Sequence, residues 1–387
     1  MKSRINVGIL TFHASYNFGS VMQAYAMQKV INDLGFESTI INFRPMSQKD
    51  KYSLFPLYDG YKTILRNMLQ LRFIWMKKRS NMLYEDFIQN TLNLTEECNT
   101  CADLKKLEDF DIYLAGSDQI WGYDIPEFMS SKEDIRPVYY LSYFKGYKFS
   151  YASSTGIATL DNLRKYAPLM LEFNALSTRE ESGSVIINKL TGRNVSTVLD
   201  PTYLLSHKEW FELALNQPCV ESKYVLIYSL QGRRKVKMWK RLIDELLLNK
   251  DIKVITIIPF TPFEKSGTIN RADAGPLEIL NLFANAEYVF TDTFHGMSFA
   301  IHMRKSFTVF EEKQADFRKR NILKLLSIEN RETNSIEDCL KMYGDKLDYS
   351  KIENVIEKNV DMSLNYIKEA LCNYENNQKN VYAKKTI

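Results

Sequence analysis

The sequence predicts an α/β protein made of two similar halves that face each other across a crevice. Its 387 residues exceed the roughly 100–200 of a single domain, so two domains are expected. Apolar runs typical of buried strands alternate with helical patterns in two successive series, an order typical of parallel sheets. In both series small or polar residues follow the apolar runs, and this carboxyl edge is where parallel sheets bind ligands.

The first half covers residues 1–205 and begins with a βαβ unit. Residues 5–12 (INVGILTF) form a predicted strand, a helix follows from about residue 20 to residue 34, and Gly35 ends it. Further strands are predicted at 36–42, 110–115, 148–152, 173–178 and 195–199. The loops that follow them should converge at one edge of the first sheet.

A helical insertion interrupts the first half at about residues 50–95. It is rich in Arg, Lys and aromatic residues, as in the run RNMLQLRFIWMKKR. We expect an amphipathic segment packed on the first domain, and a helix lying on a membrane surface stays open as the alternative.

The second half covers residues 206–350 and repeats the alternation after a linker near residues 200–208. Its strands are predicted at 223–230, 253–259, 287–291 and 306–309, and its helices at 235–248, 276–285, from about 294, and at 315–330. Residues 351–387 are predicted to form a C-terminal helix over 351–376, with a charged tail that frays after Asn373.

Charge, termini and cysteines restrict the class of function. Lys and Arg exceed Asp and Glu by only four, 51 against 47, which is too little to hold a nucleic-acid backbone but is compatible with an anionic small molecule. No secretory signal and no run near the ~18 apolar residues of a membrane span are present, so a cytoplasmic protein is expected. Of the five cysteines, Cys98 and Cys101 form a lone CxxC pair, a weak metal signal, and no metal site is expected.

Six segments, spread over residues 5–310, match the motifs of one known family in order. They read GILTFHASYNFGSVMQAYAMQ (8–28), DIYLAGSDQIW (111–121), FSYASSTG (149–156), LSTREESG (176–183), VLDPTYLL (198–205) and NAEYVFTDTFHGMSFAIHMRKSF (285–307). With these motifs, of which GSDQIW and TDTFHG are the most specific, the chain resembles the polysaccharide pyruvyl transferase family. The resemblance implies a GT-B-like fold of two Rossmann-like domains. It also implies phosphoenolpyruvate as donor, on the C-terminal side, and a glycan or lipid-linked oligosaccharide as acceptor, on the N-terminal side.

The implied chemistry has definite requirements. Phosphoenolpyruvate carries a phosphate and a carboxylate, so its site needs fixed cations and backbone N–H donors. Protonation of its methylene carbon leaves an electrophilic carbon, which sugar hydroxyls attack as phosphate departs. This reaction needs one positioned acid, no redox cofactor and no obligatory metal. We therefore expect no cofactor, no nucleic-acid partner, and at most peripheral membrane contact through the acceptor.

His295 is the expected catalytic acid. It follows the apolar strand EYVF in the motif TDTFHG and stands with Gly296 at a predicted helix start, where anions bind. The alternative is a hydrogen-bonded structural histidine. His13, in the first βα loop, is the second candidate for the acid.

Two cations are expected to contact the donor. Arg179 follows a predicted strand end and would present its planar fork to a carboxylate or phosphate. Its alternative role is an ion pair with one of the nearby carboxylates Glu180, Glu181 and Asp200. Lys305 resembles the family's lysine in a GKPF-type segment, with Arg304 as its substitute, and a solvated charge remains open for either.

Two loops of the first half supply the remaining candidates for substrate binding. Asn17, Gly19 and Ser20 form a polar helix start that resembles the family's NYGA loop, and capping of the helix is expected in either case. Ser117 and Asp118 should project from another strand end, where Asp118 orients an acceptor hydroxyl or acts as a base. Capping of the turn is the alternative for Asp118.

Two other functions remain compatible with the sequence. A GT-B glycosyltransferase that uses a nucleotide sugar would need residues for the diphosphate and ribose, and Gly232, Arg233, Arg234 and Glu278 match this loosely. A non-catalytic carbohydrate-binding protein could dispense with His295 and Arg179, both of which are present.

Overall fold

The computed structural model describes residues 5–56, 64, 67–68, 70–129, 131, 133–215, 223–230, 233–248, 252–311 and 317–385. Within these residues the chain forms two large parallel sheets with helices around them, as the sequence predicts, and one short two-stranded sheet. No helix of the described part is long and apolar enough to cross a membrane.

The first sheet is parallel and has the strand order β2-β1-β3-β4. Its strands are β1 (Asn6–Leu10), β2 (Glu37–Ile40), β3 (Ile112–Ala115) and β4 (Tyr147–Ser150). A bridge from Phe149 to Ala175 connects it to a short parallel pair, β5 (Ser177–Thr178) and β6 (Ser196–Thr197). The carboxyl ends of these strands therefore point to the same side.

Helix α1 (Phe18–Asp33) joins β1 to β2 and is buried on nearly all sides. Asn17 caps its start, because its side chain accepts a hydrogen bond from the N–H of Gly19. Gly35 follows its end at φ +92°, a conformation that favours glycine, in agreement with the predicted stop. Phe18 stacks on Phe283 of the second half with ring centroids 5.8 Å apart, so α1 packs against both halves.

The insertion contains α2 (Met46–Tyr52), a 3₁₀ turn (Leu71–Phe73) and α3 (Ile74–Thr91). Helix α3 buries one face, and Ser80 on that face donates to the carbonyl of Ala274 in the second half, with 3.1 Å between the two oxygens. Arg79 pairs with Glu278 of the second half, 2.6 Å from Nη2 to Oε1. The insertion packs on the first half as expected, where Glu85 pairs with Arg44 at 2.7 Å, and it also contacts the second half. Residues 57–63, 65–66 and 69 of the predicted insertion lie outside the described residues.

The rest of the first half consists of short helices: α4 (Cys101–Leu104), α5 (Pro126–Met129), α6 (Arg136–Tyr139), α7 (Leu160–Arg164), α8 (Ala167–Leu171) and α9 (Glu181–Thr191). A 3₁₀ turn (Pro201–Leu204) and α10 (His207–Leu215) then carry the chain to the second half.

The second sheet is also parallel, with the order β12-β11-β10-β7-β8-β9. Its strands are β7 (Tyr224–Tyr228), β8 (Lys253–Ile257), β9 (Thr268–Asn270), β10 (Tyr288–Thr291), β11 (Ser306–Phe310) and β12 (Glu332–Thr333). Its helices are α11 (Arg233–Leu246), α12 (Pro276–Asn285), α13 (Phe294–His302), α14 (Phe317–Leu325) and α15 (Ile336–Met342). The edge strands β9 and β12 were not predicted because both are short and partly exposed.

The last helix, α16 (Tyr349–Lys385), returns from the second half to the first. The hydroxyl of Tyr349 donates to the carbonyl of Lys305, whereas that of Tyr366 donates to the carbonyl of Ser150. The N–H of Leu199 donates to Oγ of Ser363, 3.0 Å away, where this helix meets the connection between the halves. The helix is assigned through Lys385, and the fraying expected after Asn373 stays a prediction.

Candidate functional site

Segments that follow four strands of the first half and one strand of the second meet at a single polar group, which we call the Arg179 cluster. Its members are Ser20, Ser117, Asp118, Arg179, Asp200 and His295. Each follows the carboxyl end of a strand, so the convergence predicted from the sequence is found here.

Arg179 lies at the centre of the cluster, with its side chain only 2 % exposed. Its Nη1 is 2.6 Å from Oδ2 of Asp200, and its Nη2 is 3.7 Å from Oδ1 of Asp118. The guanidinium also lies over the ring of Phe294, 4.5 Å from the centroid. Among the described residues neither Nε nor Nη2 has a hydrogen-bond partner. The ion pair with Asp200 is thus formed, while Nε and Nη2 are buried and keep unused hydrogen-bond donors.

Asp200 is fully buried and was expected only as an alternative partner of Arg179. Burial raises its pKa, but contacts with His295, Arg179 and the N–H of Thr202 outweigh burial and hold the pKa well below its ordinary range. The side chain is therefore a carboxylate at neutral pH. The signal that identifies it was present in the sequence, because it directly follows the apolar run 195–199.

His295 is the second residue of α13, directly after β10. Thr293 caps this helix by accepting a hydrogen bond from the N–H of Gly296 at 2.8 Å. Nε2 of His295 lies 3.6 Å from Oδ2 of Asp200, too far for a hydrogen bond but close enough for charge attraction. Within the described part of the chain this nitrogen has no hydrogen-bond partner, unlike a satisfied structural histidine. The N–H of Gly296 is already used by the cap.

The His295 ring packs against Gly19 of the first half, where the absence of a side chain leaves space for it. A methyl group at Gly19 would lie 2.0 Å from Nδ1 of His295, far inside van der Waals contact. The next residue, Ser20, donates to Oδ2 of Asp118 at 2.6 Å. Asn17 caps α1 as expected, while Gly19 and Ser20 contact the cluster itself.

Ser117 and Asp118 both lie in the turn after β3 and serve the turn as well as the cluster. Ser117 is fully buried and donates to the carbonyl of Ala152 at 3.0 Å, with Asp200 Oδ2 at 3.4 Å. Oδ1 of Asp118 accepts a hydrogen bond from the N–H of Gln119. Asp118 therefore both caps the turn and contacts Arg179.

Two of the expected residues lie away from the cluster. Lys305 immediately precedes β11, and Ser306 aligns with Tyr288 at the start of β10, whereas His295 follows the end of β10. Lys305 is therefore at the opposite edge of the sheet, and burial lowers its pKa. Its proposed substitute, Arg304, pairs with Glu353 at 2.5 Å. The structure does not bring either cation to the Arg179 cluster.

His13 is buried and hydrogen-bonded rather than directed into the cluster. Its Nε2 contacts Oδ1 of Asn42 at 2.9 Å, and its Nδ1 lies 3.3 Å from the carbonyl of Thr11. Burial lowers its pKa to about 4, so the ring is neutral at neutral pH. This environment is that of a structural histidine.

A second group of charges lies beside His295 and was not expected. Asp292 is fully buried and accepts a hydrogen bond from Ser229 Oγ at 2.6 Å, with Lys235 Nζ at 4.0 Å. The buried Lys319 donates to the backbone carbonyls of Asp292 and Phe310, both at 3.2 Å. These residues fix the loop that carries His295 from the side of the second sheet.

Two adjoining cavities lie between the insertion and the rest of the chain, with volumes of about 70 and 230 Å³. They share Tyr16, Tyr52 and Asn81 as lining residues. Oε1 of Gln48 and Oγ of Ser53, which line the larger cavity, are buried without a hydrogen-bond partner among the described residues. Tyr16 directly precedes the Asn17 cap, so these cavities adjoin the loop that contacts His295.

The residues weighed for other kinds of site have different surroundings. Cys98 and Cys101 are both buried, and burial raises the pKa of Cys98 to about 11, which favours the thiol. Glu278, a loose match to a nucleotide-sugar site, is occupied by Arg79 and by Arg271, whose Nη2 lies 3.2 Å from Oε2. Gly232 lies outside the described residues, as do the side chains of Arg233 and Arg234.

A family model for polysaccharide pyruvyl transferases matches residues 17–314, which include every member of the Arg179 cluster. The chain belongs to the polysaccharide pyruvyl transferase family. Membership agrees with the motif resemblance and indicates a transferase of polysaccharide biosynthesis. No curated protein matches this member of the family.

Solved structures similar to this pyruvyl transferase family member include several UDP-N-acetylglucosamine 2-epimerases. The enzyme from Methanocaldococcus jannaschii aligns with a TM-score of 0.52 and 12% identity, covering 89% of this chain and 92% of its own. That from Neisseria meningitidis, bound to UDP-GlcNAc, gives 0.51 and 9%, with 95% and 99% covered. Another, of unstated source, gives 0.54 and 11%, with 97% of each chain covered. At such identities the similarity shows the fold alone, which is GT-B-like with two Rossmann-like domains.

Proposed function

We propose that this protein transfers the pyruvyl group of phosphoenolpyruvate to a sugar of a surface polysaccharide or of its lipid-linked precursor, and so forms a pyruvyl ketal. The observation that carries the proposal is the meeting of Arg179, Asp118 and Asp200 with His295 across the two halves of a chain in this family. An arginine fork, a nearby histidine and a helix start together match the needs of a small dianionic donor.

The donor is proposed to bind between Arg179 and the start of α13. Nε and Nη2 of Arg179 can each donate to a carboxylate or phosphate oxygen, because among the described residues hydrogen bonding engages only Nη1, which donates to Asp200. The positive end of the α13 dipole favours the second anionic group. Since Arg179 is 2 % exposed in this closed arrangement, donor binding requires the cleft to open first.

His295 is proposed to donate a proton to the methylene carbon of phosphoenolpyruvate. The carbon that bears phosphate then becomes electrophilic, and one sugar hydroxyl forms a C–O bond to it. The C–O bond to phosphate breaks, phosphate leaves with its electron pair, and a second hydroxyl closes the ketal. Of the two hydroxyl protons released, one restores His295 and the other leaves with phosphate. Asp200 keeps its negative charge and stabilises the protonated imidazole 3.6 Å away.

The acceptor is proposed to lie along the cavities lined by Tyr16, Tyr52 and Asn81. Tyrosine rings suit the apolar faces of sugars, and amide groups suit their hydroxyls. Asp118, which already accepts a hydrogen bond from Ser20, is placed to take up a hydroxyl proton at the end of this path. No cofactor is required, because every group in this scheme is an organic acid, base or cation.

Replacing His295 by asparagine tests the proposal directly. General acid catalysis contributes roughly 10²–10⁴ in rate, so kcat for phosphate release should fall by about that factor while the melting temperature changes little. His207→Asn is the matched control, since His207 contacts the carbonyl of His302 outside the cluster and should retain activity.

The same assay in deuterated water examines the addition step. The ketal methyl group of the product should carry one deuterium, visible by mass spectrometry and NMR, because solvent ultimately supplies the transferred proton. A product free of deuterium would exclude protonation of the methylene carbon. Near wild-type turnover by His295→Asn would require a different acid.

A further inference from the structure

Helical residues of the insertion expose an apolar stripe, which consists of Ile64, Met68, Leu71, Trp75 and Met82. Each of these side chains is between 51 and 64 % exposed. Trp75 and Met82 lie seven residues apart on one face of α3, and Leu71, Met68 and Ile64 precede them in the sequence at spacings of four, three and four, which are also helical. The opposite face of α3 is buried through Met76, Ser80, Tyr84, Phe87 and Ile88. The stripe therefore points away from the protein.

Exposed apolar residues are concentrated in this part of the molecule. Of the nineteen large hydrophobic side chains that are exposed in the described part of the chain, seven lie between residues 46 and 82. Single exposed apolar residues are ordinary in soluble proteins, whereas a stripe on one helix face indicates an interaction surface.

The same segment is strongly basic. Residues 46–82 contain eight Lys or Arg and two Asp, a surplus of six positive charges, whereas the whole chain has a surplus of four. The rest of the protein is therefore slightly acidic. Arg72 and Lys78 are exposed beside the stripe, next to Leu71 and within one turn of Trp75.

We propose that this stripe docks on the anionic surface of a lipid bilayer. An amphipathic helix with Trp, Leu and Met on its apolar face and Lys and Arg at its border binds in the plane of a membrane interface, and anionic headgroups attract the basic residues. Pairing with a second copy through the same stripe would bring two basic surfaces together, which disfavours self-association. For the exposed face of the insertion we therefore adopt the alternative of a helix that lies on a membrane surface.

Docking in this way has a consequence for the acceptor that rests on the proposed function. The other side of the insertion lines the cavities that contain Tyr52 and Asn81, so a glycan carried on a membrane lipid would reach them without leaving the bilayer surface. Membrane binding is measured below without turnover, so its failure is distinguishable from failure of the proposed reaction.

Trp75 supplies a built-in reporter for this test. The chain has four tryptophans, of which Trp75 is 59 % exposed while Trp121, Trp210 and Trp239 are at most 1 % exposed. Full-length protein is mixed with vesicles of equal parts phosphatidylglycerol and phosphatidylcholine. The expected result is a blue shift of the emission and quenching by lipids brominated on their acyl chains. Pure phosphatidylcholine vesicles should produce much less of either effect.

Variants assign the effect to the stripe, with co-sedimentation as the readout. Trp75→Ser should lower vesicle partitioning roughly tenfold, as expected from loss of a buried aromatic side chain. Its control is Met362→Ser, because Met362 is 61 % exposed on α16 and should not matter. Arg72→Glu and Lys78→Glu should each lower partitioning at least fivefold, following roughly 1 kcal/mol for each basic residue at a membrane surface. Lys358→Glu, on the exposed side of α16, is their control.

Three outcomes would overturn the proposal. They are no partitioning into the mixed vesicles, equal partitioning into pure phosphatidylcholine, and a blue shift that grows with protein concentration when no vesicles are present. The last would mean that a second copy of the chain covers the stripe, and sedimentation velocity would detect that dimer.

Discussion

Replacing Gly19 by alanine would test how closely the placement of His295 is controlled. A methyl group at Gly19 would lie 2.0 Å from Nδ1 and 2.1 Å from Cγ of His295. Ordinary contact begins at 3.4 Å, so the imidazole must retreat by about 1.4 Å. A misplacement of ~1 Å at a reacting group costs roughly 100-fold in rate, and we therefore expect kcat to fall by about 10²–10³.

The fold should tolerate this substitution. Gly19 lies in the first turn of α1, where alanine is intrinsically favoured over glycine by up to ~1 kcal/mol, and this gain offsets part of the crowding. The melting temperature should consequently change by only a few degrees, about what ~1 kcal/mol produces in a chain of this size. A lower kcat with a nearly unchanged melting temperature is the expected signature.

Phosphate release from phosphoenolpyruvate in the presence of acceptor is the assay, and a double variant is its control. If Gly19→Ala acts by displacing His295, adding it to His295→Asn should cause little further loss, because both changes remove the same contribution. Wild-type kcat in Gly19→Ala would refute the reasoning. A double variant slower than His295→Asn by the full factor of the single glycine change would refute it as well.

Three further predictions concern the donor, pH and metal. Arg179→Ala should weaken donor binding by roughly 1.5–3 kcal/mol in calorimetric titration, and Arg179→Lys should recover only part of this affinity. The alanine variant should also lower the free energy of unfolding by about 3–5 kcal/mol, because it leaves Asp200 buried and unpaired. Unchanged donor affinity would remove Arg179 from the site. Because the folded-state pKa of His13 is lowered to about 4, below ~6.5 in the unfolded chain, its stabilising effect is lost as pH falls through this interval. In urea titrations, this residue should lower the free energy of unfolding by roughly 2 kcal/mol between pH 7 and pH 5. An equal decrease in His13→Gln would show that the effect does not come from His13. Activity should survive a chelator with no zinc at Cys98 and Cys101, whereas stoichiometric zinc whose removal abolishes activity would count against the mechanism.

The parallel halves and most site residues were predictable from the sequence because one rule governs them. Apolar strands end in polar residues at the carboxyl edge, and the chain order of Asp118, Arg179 and His295 follows from that rule. Lys305 shows where the prediction fails. Its place in the motif does not give its distance from His295, and a nine-residue helix carries the chain from His295 to the opposite edge of the sheet. Asp200 also follows a strand end, but it was predicted only as one of three possible partners of Arg179. A sequence does not show which of several carboxylates an arginine will contact.

Long-range contacts account for the remaining differences between prediction and structure. The insertion contacts the second half through Arg79 and Glu278, residues 199 positions apart, and no local pattern encodes that pairing. Helix α16 is 37 residues long, and its Tyr366 contacts the first sheet, a pairing that local composition does not encode. Local composition described these segments correctly as helical but could not place them.

The two connections between the halves meet at one point, where the N–H of Leu199 bonds to Ser363 of the last helix. If the cleft opens as the proposed function requires, this joint of two adjacent chain segments would act as the hinge, and the contacts of the insertion with the second half would break. Arg179 and Asp200 lie on the same side of this hinge, whereas His295 lies on the other. In such an opening the ion pair of Arg179 and Asp200 would move as a unit, and His295 would separate from it. In the proposed reaction, closure would then bring His295 to a donor held by Arg179 of the first half.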